Sequence, residues 1–153
     1  MELIFRAIFH PKSIRSRSHV DSILCLLMII LVQIISFWPL FAGSVMWWKI
    51  LLLWITLVPL YVYGVAGVYL LFVNVKDAGE FVSTFPAVMV PYFFFSPLYM
   101  ITGNLWSSFP LAIWSGYLEL LVVASRGKSK DLWLKIIVFK FARIGLFFLV
   151  MSR

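Results

Sequence analysis

Three charged residues lie inside stretches that otherwise read as membrane-spanning, and they are the residues best placed to do chemistry. Lys140 and Arg143 interrupt the apolar run from Leu132 to Met151, and Glu119 lies in the run that ends at Ala124. A charge at bilayer depth costs about 2.5–3.5 kcal/mol on insertion scales, so each of these groups demands a protein partner or water. One acid and two cations at that depth have two uses. They can form a structural ion pair that sets helix register, or they can line a polar cavity that holds an anionic group, a lipid head or a conducted ion.

Chain geometry brings Glu119 and Lys140 together. Glu119 lies about five residues, roughly 7 Å, from the end of its span, and Lys140 lies roughly 12 Å into the next. Side chains lean toward the amino terminus of their own helix, so in two antiparallel neighbours the carboxylate leans deeper and the ammonium shallower. Lys135 is close enough to the boundary to snorkel. Arg143 falls near mid-depth, about 60° around the helix from Lys140. Water or the carbonyls of a broken helix are its expected acceptors. That broken helix is expected at Pro91 and Pro97, where each ring removes an amide and crowds the carbonyl four residues back. Broken backbone at membrane depth must face protein or a water-filled cavity.

Other chemistry finds little material. His10 and His19 lie outside the spans, so paired haem ligation within the membrane is not expected. No Ser–His pair at depth, nucleophile elbow or glycine-rich phosphate loop is present. Cys25 is the single cysteine and sits in an apolar run, where it acts as a small hydrophobe. The reading is of a non-enzyme with no catalytic residue, cofactor or metal.

The elements that must position these groups follow from composition. Charged residues make up 12% of the 153-residue chain and hydrophobic ones 63%, against about 25% charged in a soluble domain. At roughly 20 residues per span, the length holds about five membrane helices and no soluble domain. The expected fold is all-α: a single transmembrane domain of five helices over 22–41, 50–73, 86–101, 107–124 and 132–151. A short interfacial helix precedes them, because Leu3, Ile4, Ala7 and Ile8 recur at helical spacing. Gly64 and Gly67 in the second span would let another helix approach closely.

The net charge of +7 comes from basic clusters beside apolar runs. Arg6, Lys12, Arg15 and Arg17 precede the first span, Lys76 follows the second, and Arg126, Lys128 and Lys130 follow the fourth. All fall on one side, which puts the amino terminus in the cytoplasm and the carboxyl terminus outside. Lys12, Arg15, Arg17, Arg126, Lys128 and Lys130 are expected to touch anionic lipid headgroups; nucleic acid is not an expected partner.

The chain resembles the Yip family of five-span membrane proteins, named for interaction with Ypt/Rab GTPases. The features that carry the resemblance begin with the basic entry Ile8-Phe9-His10-Pro11-Lys12 and the long second span. They continue with Phe85-Pro86-Ala87 through Ser96-Pro97-Leu98, then Ala112-Ile113-Trp114 and the Ser125 to Lys130 loop. Eukaryotic members add a cytosolic Asp-Leu-x-Gly-Pro-type segment, which this sequence lacks, so the resemblance is to short prokaryotic-type members. It implies a five-helix bundle with a cytoplasmic amino terminus in a bacterial inner membrane. It also implies an accessory role beside an export complex, through contact with another integral membrane protein, with a second copy or with lipid. The competing expectation is a small transporter or channel subunit with a polar cavity at Glu119, Lys140 and Arg143.

Overall fold

A computed structural model describes residues 2–14, 18–41, 46–73, 75–104, 106, 109–127 and 131–151, with positions 40, 41, 50 and 143–151 described through their backbone alone. Among these residues the structure is all-helical, with one isolated antiparallel bridge between Val75 and Gly127. Helix α1 covers Glu2–Phe9 and a 3-10 turn covers Pro11–Ser13. Then come α2 (His19–Phe41), α3 (Trp47–Phe72) and α4 (Ala78–Thr84). A 3-10 segment, Phe85–Phe94, leads into α5 (Phe95–Thr102), followed by α6 (Phe109–Ala124) and α7 (Leu132–Met151). Among the described residues, three units are long and apolar enough to cross a membrane: His19–Pro39, Trp47–Phe72 and the continuous Ala78–Thr102. Helix α6 is a shorter apolar helix. The chain therefore has the make-up of a multi-pass membrane protein.

Helix α1 forms where the apolar spacing demands it. Leu3 and Ala7 are fully buried against the bundle, Ile4 and Ile8 pack at its edge, and Phe5 and Phe9 remain exposed.

The third apolar unit departs from the expected 86–101. It starts at Ala78, because Asp77 caps α4 by accepting the Glu80 amide at 2.9 Å. It is also not one helix with two proline kinks. Runs of 3-10 helix longer than three or four residues are uncommon, yet this segment holds ten. Pro86 and Pro91 lie within it, whereas Pro97 falls in the first turn of α5. The break is therefore the segment itself, and Pro97 belongs to the recovery of the α-helix. Gly103 ends α5 at φ 63°, the left-handed conformation that glycine adopts at little cost.

Side chains of α2 supply what the segment lacks. In an i to i+3 ladder the Ser83 carbonyl would pair with residue 86, but Pro86 has no amide to offer. The Ser22 hydroxyl donates to that carbonyl instead. The Cys25 thiol lies 3.9 Å from the Pro86 carbonyl, and the Gln33 amide donates to the Tyr92 carbonyl. Gln33 also accepts from the Ser96 hydroxyl. Residues 22, 25 and 33 share one helical face, so α2 presents a polar stripe to the broken segment.

This pairing orders the bundle from inside to outside. The unit Ala78–Thr102 is 56% buried over its apolar window, α2 39% and α3 only 12%. Helices α2 and α6 flank the 3-10 segment, and α3 lies at the periphery. Gly64 and Gly67 consequently lie against no other described residue. A Cβ added at either would meet no atom within 4 Å. The expected close helix approach is absent within the monomer because α3 turns that face outward.

Replacing Gln33 by Leu should lower the melting temperature in detergent by an amount equivalent to about 1–3 kcal/mol, since it leaves two buried polar groups to find new partners. Ile35→Leu, on the exposed face of the same helix, should leave it unchanged; equal behaviour of the two variants would contradict the assignment.

Candidate functional site

Besides the polar stripe of α2, two charged centres lie inside this apolar bundle among the described residues. The first joins α3, α6 and α7. Glu119 is on α6, with its side chain only 2% exposed, and its Oε2 lies 3.3 Å from Lys140 Nζ on α7. Its Oε1 accepts a 2.7 Å hydrogen bond from Tyr69 Oη on α3. The Tyr69 ring is held edge-on by Phe139 at 4.8 Å, with Phe85 at 5.8 Å on another side. One turn before Glu119, Gly116 makes room for the lysine: a Cβ there would overlap the Lys140 ammonium. That ammonium is the end of a flexible chain and is 30% exposed, so the notch guides the lysine without locking it.

Lys135, one turn and a residue earlier on α7, donates to the Phe72 carbonyl at 3.2 Å. It thus ties α7 to the carboxyl end of α3, where a cation also suits the helix dipole. The Arg143 side chain, the third member of the expected group, lies outside the described residues.

The second centre gathers three connecting segments at one end of the bundle. Arg126, at the end of α6, is buried. Its guanidinium donates to the Ile14 carbonyl at 2.9 Å, to Glu80 Oε1 at 2.9 Å and to the Thr84 hydroxyl at 3.3 Å. The Lys76 amide donates to the Arg126 carbonyl at 3.2 Å, beside the Val75–Gly127 bridge. The expectation that Arg126 faces lipid headgroups is therefore corrected. Its charge is spent on protein oxygens, because the connections before α2, before α4 and after α6 converge there. Lys12 is exposed and lines the cleft beside this knot. Arg15, Arg17, Lys128 and Lys130 lie outside the described residues.

The buried Glu119 centre is built to neutralise rather than to react. Both carboxylate oxygens of Glu119 are engaged, one by a phenol and one by an ammonium. No group of three or more His, Cys, Asp or Glu side chains forms among the described residues. Tyr69, Gln33 and Glu80 were not singled out by the sequence reading. Gln33 had a signal, as the only glutamine and an amide inside a span. Glu80 had one too, three residues after a capping Asp. Tyr69 had none that separates it from Tyr61 and Tyr63 in the same helix.

No protein-family model matches this chain, and neither does any curated protein or solved structure.

Lys140→Met should destabilise the protein by on the order of 3 kcal/mol, because it strands a buried carboxylate. The double variant Glu119→Leu with Lys140→Met should recover most of that loss in detergent unfolding. An additive double variant would show that the two side chains do not form a pair.

Proposed function

We propose that this chain is a five-span integral membrane protein that acts by association rather than catalysis, as an accessory subunit to another membrane protein. In this reading α6 and α7 complete the five spans, α1 lies at the headgroup boundary and the basic end of the bundle faces the cytoplasm. The setting it fits is a bacterial inner membrane, and the class it resembles is the short prokaryotic-type Yip proteins.

The observation that carries the reading is the condition of α3. Only 12% of its apolar window is buried, and its outward face includes Leu60, Tyr61 and Gly64. The membrane-depth charges that can be described are meanwhile satisfied inside the bundle, so the chain's outward chemistry is helix surface. Small residues on such a surface permit close backbone approach by a second helix.

A second reading, a small transporter or channel subunit, draws on one observation. A cavity of about 350 Å³ lies beside the broken segment, lined by Gln33, Trp54, Met89, Tyr92 and Ala112 among others. Its walls are largely apolar, which suits a hydrophobic occupant better than an ion.

Purification in mild detergent, followed by mass spectrometry, should yield a membrane partner at fixed stoichiometry. Gly64→Leu together with Gly67→Leu should reduce recovery of that partner while shifting stability by no more than about 0.5 kcal/mol, as no described residue lies against either position. Recovery of the chain alone would contradict the reading, as would undiminished recovery of the partner with the glycine variant.

A further inference from the structure

We propose that the cleft between the Pro11–Ser13 turn, the start of α4 and the end of α6 binds the phosphodiester headgroup of one anionic membrane lipid. This rests on the membrane reading above and adds a defined ligand site to it. The cleft measures about 520 Å³ and is lined by Arg6, Lys12, Lys76 and Arg126 against two carboxylates, Asp77 and Glu80. That size falls in the range of roughly 300–1,000 Å³ typical of small-ligand sites.

The cleft walls carry four cations against two carboxylates, and the ion pairs at its edge leave it cationic. Glu80 is held by Arg126 at 2.9 Å, and Asp77 Oδ1 accepts the Glu80 amide at 2.9 Å. Arg6 is paired with Glu2 one turn back and donates to the Ser13 carbonyl at 3.1 Å. Lys12 and Lys76 are different. Both are exposed at the cleft, and neither ammonium is engaged by another described residue. The backbone fixes where each begins. Ser13 bonds back to His10 across the turn that holds Lys12, and the Lys76 amide bonds to the Arg126 carbonyl. The cleft therefore presents two available ammoniums on a wall that Arg126 holds in place, and two ammoniums supply the donors that a cluster of phosphate oxygens needs.

The surroundings select a lipid over free phosphate. Phe5 and Phe9 lie ring to ring at 4.8 Å, tilted by 40°, on the exposed side of α1, the same helix as Arg6 of the cleft wall. An exposed aromatic pair beside a cationic cleft, at the end of an apolar bundle, places acyl chains next to one and the headgroup in the other.

The test uses the purified full-length chain in mild detergent, titrated with phosphatidylglycerol and with phosphatidylcholine and read by native mass spectrometry. One phosphatidylglycerol should bind per chain in preference to phosphatidylcholine. Lys12→Gln and Lys76→Gln should each weaken that binding by about fivefold, with melting temperature unchanged. Millimolar inorganic phosphate should not displace the lipid. Equal binding of the two lipids, or undiminished binding by the double lysine variant, would overturn the proposal. Displacement by inorganic phosphate would also overturn it and assign the cleft to a free anion. Failure of the membrane reading itself would register separately, as release of the chain from membranes by alkaline carbonate.

Discussion

Backbone polar groups inside a membrane have no water to bond, and the unit Ala78–Thr102 is where that constraint bears hardest on this chain. Two prolines in a ten-residue 3-10 segment deny amides to its carbonyls. The segment can exist at depth only if other parts of the protein supply donors. Ser22 on α2 does so for the Ser83 carbonyl, and Gln33 adds a second donor to the Tyr92 carbonyl, which the Phe95 amide already bonds. The consequence is architectural: the least regular segment becomes the centre, and the most regular helix, α3, is left at the edge.

Once the broken segment is central, the remaining helices have defined neighbours. Helix α6 packs on it and turns Leu118, Glu119 and Val122 inward. A buried carboxylate on that face then needs partners, and α3 and α7 provide them through Tyr69 and Lys140. Such a pair contributes little net stability against well-packed apolar side chains, since desolvation offsets most of the attraction. Its consequence is positional: Lys140 and Lys135 tie α7 to Glu119 and to the Phe72 carbonyl. At the bundle's end Arg126 has the same role for the connections, holding Ile14, Glu80 and Thr84 around one guanidinium.

Much of this was legible in the residues. Helices α2, α3, α6 and α7 lie on the long apolar runs, because such runs bury or shield their side chains only as regular helix. The approach of Lys140 to Glu119 followed from side-chain lean in antiparallel helices. What could not be read was which carbonyls the prolines would expose and who would answer them, since that depends on contacts some sixty residues apart in the chain. Tyr69 was hidden for the same reason. Arg126 was misread because a basic residue in a loop has the same local signature whether it meets a headgroup or a carboxylate. Gly64 and Gly67 signal capacity for close approach, not the helix that uses it, and none of the described residues does.

The central claim is that the broken segment is dry and satisfied by protein rather than by a water-filled passage. Hydrogen–deuterium exchange of the full chain reconstituted in lipid nanodiscs tests this directly, by following peptides that cover Phe85–Phe94. Exchange as slow as that of α2 is the predicted result, because the segment's polar groups are closed off by Ser22, Gln33 and the flanking helices. Fast exchange confined to this segment would contradict the account and place water at the centre of the bundle.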